Sequence, residues 1–248
     1  MLHPGEMGAA IGGVLRQSGI DVLWASEGRS EATRTRAAHA GLTDAGTVDE
    51  LAQMSGVILS VCPPYAAADV AAAVGDFAGV FVDANAISPA TSRRIAASLS
   101  AFVDGGIIGG PPSETAGPRL YVSGGNTARV LELFAGTLVD ALVVSERIGD
   151  ASALKMVYAA WTKGSAALLL AIHEVAQTEG VADELLEEWR ESLPDLEARL
   201  ASAERSAAAK GWRWVAEMEE IAATFEAAGA PGGFHRAAAD LFRGRPRT

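Results

Sequence analysis

Cysteine is almost absent from this chain: Cys62 is the only one in 248 residues. A lone cysteine excludes an internal disulfide and a cysteine-rich metal site, and it suits a reducing, cytoplasmic setting. Histidine is sparse too. His3, His39, His173 and His235 lack the spacing that metal ligands keep, so no metal centre is expected. Basic residues are in deficit, 20 Lys and Arg against 31 Asp and Glu, and the formal net charge of -11 argues against a nucleic-acid partner. No apolar run approaches the length of a bilayer span, so no membrane partner is expected. The greasiest stretch, Ala166 to Ile172, is far too short, and no secretory signal pattern is visible. Repeats and low-complexity tracts are lacking, apart from a general richness in alanine. What is left is an acidic chain long enough for one or two domains with a substantial core.

The informative feature comes first in the chain. Met1-Leu2-His3-Pro4-Gly5-Glu6-Met7-Gly8 precedes a run with apolar positions at Ile11, Val14 and Leu15. Gly5 and Gly8 take the places of the second and third glycines of G-x-G-x-x-G, and His3 stands where the first would be. In such a turn the middle glycine lets backbone approach a pyrophosphate, and the last lets helix and sheet pack closely. The following helix N-terminus offers N–H groups and a partial positive charge. The same letters also fit an ordinary Gly-Pro loop before a helix. A Rossmann sheet carries its first, central strand directly before this turn, yet only Met1 and Leu2 stand there. The expectation is a truncated first strand. Its loss would expose two sheet edges and cost more than the roughly 5–15 kcal/mol margin of a folded domain. About five apolar residues upstream would restore it.

Short apolar strands are predicted over 21–25, 56–61, 80–84, 102–104, 120–123 and 142–144. Helical segments fall between them over 30–40, 48–54, 66–74, 88–99 and 127–134. This alternation predicts a parallel, doubly wound α/β sheet. The pattern changes near Gly149. One helical pattern runs from Ala151 to Glu179 with no proline and only Gly164 inside. Further helices are predicted over 184–190, 196–210 and 212–228, punctuated by Pro194, the glycines around Pro231, and Pro246. The division is therefore a Rossmann domain over 1–148 and an all-helical domain over 149–248.

Five segments, in order, carry a family resemblance. His3 to Gly8 looks like a G-x-G-x-M-G turn, and Cys62-Pro63-Pro64 like a proline-bearing turn after the fourth strand. Asp83-Ala84-Asn85-Ala86-Ile87-Ser88-Pro89 looks like a D-x-S-T-x-S-P loop. Asp104 to Gly110 looks like a D-x-P-V-S-G-G substrate loop, and Gly149 to Ala159 like a G-x-x-x-x-x-K-x-x-x-N segment. Together they resemble the beta-hydroxyacid dehydrogenase superfamily, which includes 6-phosphogluconate dehydrogenase and the imine reductases. The tail, with Trp212, Thr224-Phe225 and Phe234-His235, is similar to the C-terminal domain of a phosphogluconate-dehydrogenase-like subgroup of undefined substrate. The resemblance implies an NAD(P)-dependent oxidoreductase acting on a C–OH/C=O or C–NH/C=N centre of a small molecule. It also implies a homodimer through the helical domain. Lys155 would hold or donate the proton at the reacting oxygen or nitrogen. The cofactor would lie against Gly5, Glu6, Met7, Gly8, Cys62, Pro63, Pro64 and Asn85. Ile107, Ile108, Thr162 and His235 would face the substrate.

Departures narrow the substrate. Ala159 replaces the family asparagine four residues after the lysine, Asn85 and Ala86 replace the serine-threonine pair, and Gly106-Ile107-Ile108 replaces P-V-S. Groups that would hold a carboxylate and hydroxyl are thereby lost, which favours a less polar substrate and keeps imine reduction as an alternative. A nucleotide-binding protein without catalysis is the other alternative. For the cofactor, Ser26, Arg29 and Ser30 suit the extra ribose phosphate of NADP, because an arginine fork matches phosphate oxygens. Glu27 would instead accept the ribose hydroxyls of NAD, and a solvated helix start also accounts for Arg29 and Arg34. NADP is preferred on balance. Lys155 has Tyr158, Ala159 and Thr162 on its helical face. Its apolar neighbours Leu154, Met156 and Val157 would lower its pKa toward a useful range, although a snorkelling surface lysine fits the same pattern. Tyr158 is a backup donor. Asn85 either touches the nicotinamide side or caps the helix starting near Ser88. Cys62 reads as a small buried hydrophobe rather than a nucleophile.

Overall fold

The computed structural model describes residues 1–245; Pro246, read above as punctuation, lies outside them. The chain forms two compact units, Met1–Lys155 and the part from Met156 onward.

In the first unit, helix α1 (Glu6–Gln17) starts from an extended Gly5 and buries Ile11, Val14 and Leu15. Strand β1 (Leu23–Trp24) pairs in parallel with β2 (Thr43–Asp44) across helix α2 (Glu31–His39). After helix α3 (Val48–Met54), a second sheet takes up β3 (Val57–Ser60), β4 (Val80–Asp83), β5 (Phe102–Ile108), β6 (Arg119–Ser123) and β7 (Asp140–Ser145), in that spatial order. Helices α4 (Ala67–Ala72), α5 (Pro89–Ala96) and α6 (Thr127–Phe134) connect them. Side-chain caps set several helix starts. Ser30 accepts from the Thr33 N–H and Ser88 from the Thr91 N–H, and Thr47 with Glu50 forms a reciprocal capping box.

Apolar cores line both faces of the sheets. One gathers Ile11, Leu15, Val103, Leu120 and Val130. The other gathers Leu51, Ile58, Phe81 and Phe102, with the two phenylalanine rings stacked at 6.3 Å. Double coverage explains why these strands are apolar at successive positions instead of alternating.

Three expectations need correction. The sheet is not wholly parallel: β6 runs antiparallel to β5. The connection between them holds no helix, and a parallel crossover needs one or an equivalent length of chain. Gly109, at φ +123°, makes the turn out of β5 in a conformation other residues rarely adopt. The strand expected to end at Asp104 continues to Ile108, so Gly106, Ile107 and Ile108 belong to a buried strand rather than a loop. The two helices expected on either side of Gly211 are one, α9 (Leu196–Ala227). A glycine inside a helix costs only about 1 kcal/mol, and Gly211 lies buried where an added Cβ would meet the Phe242 ring at 3.6 Å. Strand β2 was not anticipated.

The two sheets are separate. Between them lies only the start of the chain: the Met1 amino group donates to the Leu23 carbonyl at 2.8 Å, and the Leu2 N–H to the Leu59 carbonyl at 3.3 Å. The second unit is all-helical. Helix α7 (Asp150–Glu179) runs into it from the first, and α8 (Ala182–Ser192), α9 and α10 (Gly233–Arg243) follow. Helix α10, unforeseen in the sequence, packs Phe242 edge-on against Trp214 of α9 at 5.0 Å. No helix among the described residues is long and apolar enough to cross a membrane.

Candidate active site

The glycine turn leads from His3 into helix α1. A Cβ at Gly8 would lie 2.5 Å from the His3 carbonyl oxygen, so α1 can sit this close to the turn only with glycine there. A Cβ at Gly5 would meet nothing within 4 Å, which leaves the helix N-terminus open to an approaching group. Glu6 is exposed and Met7 half-buried in the first turn of α1. Arg36 of α2 donates to the Pro4 carbonyl and braces the turn from the side. His3 is neutral at ordinary pH: burial, then the nearby Arg29 charge and the Met1 amino group, push its pKa down to about 4.

Arg29 lies close enough to His3 and Cys62 for its charge to act on both. Its Nε is buried without a hydrogen-bond partner, and burial lowers its pKa. An uncompensated guanidinium nitrogen beside a glycine turn fits a phosphate oxygen. Ser30 is exposed and caps α2. Ser26 is turned inward, 7% exposed, with its hydroxyl on Asp44. Arg34 donates to the Ser26 carbonyl at 2.9 Å. Of the three residues assigned to the ribose phosphate, Arg29 is half-buried, Ser30 exposed and Ser26 buried.

At the carboxyl ends of β3 and β4, Asn85 ties two loops together. It is 3% exposed, its Oδ1 accepts from the Cys62 N–H at 2.5 Å, and its Nδ2 donates to the Ser60 hydroxyl at 3.1 Å. The helix-cap alternative for Asn85 is overturned, because Ser88 makes that cap. Burial, with help from Asp83, pushes the Cys62 thiol up to about 12, so it stays protonated and is no nucleophile. Pro63 is exposed, and Pro64 opens a short 3₁₀ turn.

Two buried carboxylates, Asp83 and Asp104, stand opposite each other in register on β4 and β5. Their environments diverge. Asp104 accepts from the hydroxyls of Ser92 (2.7 Å), Ser123 (2.8 Å) and Ser152 (2.5 Å), and from the backbone N–H groups of Gly149 (3.1 Å) and Ser152 (2.9 Å). It thus fastens the first turn of α7 to the sheet, and Ser123 extends the clamp by accepting from the Ala151 N–H at 3.0 Å. Asp83 accepts from the Asn85 N–H through Oδ1, while its Oδ2 is buried with no hydrogen-bond partner among the described residues. Burial pushes its pKa up to about 7, with the Asp104 charge adding to the rise. Sequence reasoning had quoted both aspartates only as motif letters. An aspartate ending an apolar strand is the signal that would have singled them out.

The clamp positions Lys155. A Cβ at Gly106 would come within 2.8 Å of the Lys155 Cβ and 2.9 Å of the Ala151 carbonyl oxygen, so the stem of this half-buried lysine rests directly on β5. Ile107 and Ile108 are buried in β5, and Ile107 packs in the core. The remaining candidates belong to the second unit. Tyr158 and Thr162 are exposed on α7, where Thr162 bonds back to the carbonyls of Tyr158 and Ala159. His235 of α10 is buried between the Phe225 and Phe234 rings and faces Gly164, with Nδ1 unpartnered and its pKa lowered by burial.

Residues 176–244 match a domain of unknown function, DUF1932. An uncharacterized 28.5 kDa protein from Methanothermus fervidus is 34% identical over 173 residues, which are 68% of this chain and 66% of that protein, just under two thirds of its length. The structure of conserved protein MTH1747, of unknown function and described as similar to 3-hydroxyacid dehydrogenases, superposes with a TM-score of 0.70 at 28% identity, covering 97% of this chain and 95% of that one. The chain has the fold of the 3-hydroxyacid dehydrogenase-like proteins. Two more distant structures share this fold. 3-Hydroxyisobutyrate dehydrogenase from Mycobacterium tuberculosis, solved with L-serine, has a TM-score of 0.69 at 16% identity over 98% of this chain and 93% of that one. A reductive aminase from Aspergillus terreus, in complex with NADPH and ethyl levulinate, has 0.62 at 20% identity over 97% and 90%.

Proposed function

We propose that this protein is an NAD(P)-dependent oxidoreductase, with NADP preferred, acting on a C–OH/C=O centre of a small, relatively apolar substrate. When bound, the nicotinamide supplies or accepts the hydride. Lys155 holds the proton at the substrate oxygen, with Tyr158 as a second donor. Ile107, Ile108, Thr162 and His235 are assigned to the substrate side by family resemblance. The observation that carries this reading is the seat of Lys155 on Gly106, fixed by the Asp104 clamp. Such anchoring serves a proton donor better than a solvated lysine, because proton transfer needs a positioned group. The open Gly5 and the unpartnered Arg29 Nε support a phosphate-bearing cofactor with an added ribose phosphate.

The test is a fluorescence titration with NADPH and NADH, followed by a screen of small ketones, aldehydes and secondary alcohols. Tighter binding of NADPH is expected, and Lys155→Ala should abolish turnover while leaving cofactor affinity within a few-fold. Failure of both nucleotides to bind would remove the enzyme reading. Binding without turnover of any substrate would leave a nucleotide-binding protein. A second reading, reduction of C=N, is favoured by Ala159, which is fully buried where the family has an asparagine. Turnover of cyclic imines with NADPH would select it.

We also propose a homodimer through the helical unit. Val157, Trp161, Leu168, Ile172 and Val175 of α7 are exposed, and their spacing puts them on one stripe. An apolar stripe of this length suits a second copy of the same helix. The reading carries a cytoplasmic location, in keeping with a single thiol.

A further inference from the structure

Asp83 and Asp104 stand side by side in register on β4 and β5, both fully buried. Two carboxyl groups this close in a dry layer do not both ionise. Hydrogen bonds decide which of them keeps its proton. Asp104 accepts five, two of them from the backbone at the start of α7. Asp83 accepts from the Asn85 N–H, and its Oδ2 meets no donor among the described residues. The charge therefore settles on Asp104 and the proton on Asp83. Asp104 faces Asp83 from β5, and the protonated Cys62 faces it from the end of β3. Arg29 acts on that thiol, α5 and α7 bring Ser92 and Ser152 to Asp104, and Lys155 rests on Gly106 of β5.

Asn85 is the group that feels this proton. Its Oδ1 holds the Cys62 N–H at 2.5 Å, and its Nδ2 donates to the Ser60 hydroxyl at 3.1 Å. Its backbone and side-chain amides both lie close enough to Asp83 to favour the carboxylate form of that residue. A neutral Asp83 competes weakly with Ser60 for Nδ2. An ionised one attracts it more strongly, because a charge-assisted hydrogen bond is about twice as strong as a neutral one. The carboxamide is planar, so drawing Nδ2 toward Asp83 swings Oδ1 off the Cys62 N–H. We propose that Asp83 is a positioning residue: uncharged, it leaves Asn85 clasping the Cys62–Pro64 turn, and ionised, it pulls Asn85 away and frees that turn. Burial, with the Asp104 charge, sets the change at about pH 7, so the clasp is present below this value and lost above it. The consequence for the cofactor rests on the oxidoreductase reading, in which this turn lies against the dinucleotide. Dinucleotide affinity should then fall over the same range.

The test follows hydrogen exchange of the Cys62 amide in the nucleotide-free protein as the pH rises through about 7. The Val82 and Val103 amides of β4 and β5 serve as controls for global opening. Protection of Cys62 relative to these controls is expected to fall at least tenfold, in step with the NMR midpoint of the Asp83 carboxyl. Asp83→Asn keeps an oxygen for the Asn85 N–H and cannot ionise, so its Cys62 protection should stay level. Ser60→Ala removes the acceptor that competes for Nδ2, so the step should move to lower pH; this variant decides the matter if Asp83→Asn does not fold. An equal step in Asp83→Asn, an unmoved step in Ser60→Ala, or Cys62 protection that ignores the Asp83 titration would overturn the proposal. NADPH titrations come next, and affinity should weaken over the same range in the unaltered protein but not in Asp83→Asn. Equal affinity on both sides of the step would overturn the link to the cofactor. Failure of nucleotide to bind at any pH, with the Cys62 step intact, would remove the oxidoreductase reading and leave the Asp83 device standing.

Discussion

Removing the carboxylate of Asp104 should loosen the start of α7, and the size of the effect can be worked out from its partners. Asp104 is fully buried, and two of its five hydrogen bonds come from the backbone N–H groups of Gly149 and Ser152. These N–H groups belong to the helix start, which has no carbonyl of its own to offer them. The carboxylate therefore acts as a cap reached from across the sheet, and its charge also suits the positive end of the helix. In Asp104→Ala both N–H groups are orphaned in a dry site at about 1–3 kcal/mol each. The three serine hydroxyls can rotate toward one another, so their loss adds little. The expected destabilisation is about 3–5 kcal/mol, in the range of a broken buried network.

Asp104→Asn should behave differently. Its oxygen can stay on the side of Gly149 and Ser152, where Oδ2 now sits, while the new NH₂ turns to the hydroxyls of Ser92 and Ser152, which can accept. About 1–2 kcal/mol is expected, since charge-assisted bonds become neutral ones. Urea unfolding would give both numbers, and exchange of the Gly149 and Ser152 amides would localise them. Asp83 supplies an independent readout. Either substitution removes the neighbouring charge, so the Asp83 midpoint should fall from about 7, yet remain above the ordinary carboxylate range because burial is the larger cause. An Asn variant as unstable as the Ala variant, or an Ala variant costing under about 1 kcal/mol, would refute the cap argument.

Gly5→Ala should leave the free protein's thermal midpoint unchanged but weaken NADPH binding at least tenfold, because its Cβ meets no protein atom and would face the cofactor. Gly8→Ala should lower the midpoint with or without nucleotide, since its Cβ would press on the His3 carbonyl; equal behaviour of the two would sink the glycine-turn reading. Asp83 binds a proton more tightly folded than unfolded, so its contribution is greatest below about pH 4, the unfolded value, and is lost as pH rises through about 7. His3 and the Met1 amino group, with lowered values, act in the opposite sense. Subtracting the stability profile of Asp83→Asn isolates the aspartate, and a flat difference between pH 4 and 7 would contradict its raised pKa. Trp161→Glu, at a position 67% exposed, should convert the proposed dimer to monomer in sedimentation with the helical content intact; an unchanged sedimentation coefficient would remove that stripe as the interface.

How legible all this was in the sequence depends on what kind of information each feature uses. The helices and parallel strands of the first unit follow from local pattern. Apolar runs such as Val57–Ser60 need only neighbours in the chain to be recognised, and caps such as Ser30, Thr47 and Ser88 announce helix starts three residues ahead. The reversal between β5 and β6 was also written locally, as the lack of any helix between residues 108 and 119, but it is a missing crossover and not a motif. Asp104 shows the other extreme. Its partners lie 12, 19, 45 and 48 residues away, so no window of sequence could reveal that it caps α7. Family resemblance points at Lys155, yet this lysine is held in place by Gly106 and by the aspartate two residues earlier, on a strand that runs four residues past the end expected at Asp104. Ser26 shows the competition such residues face. Chemistry and position suit it to a phosphate, yet it is buried, and its hydroxyl helps lower the pKa of Asp44, an acid brought alongside by the pairing of β1 with β2. Residue types in sequence therefore nominate partners for a ligand, and competition among the protein's own polar groups decides which of them remain free to bind it.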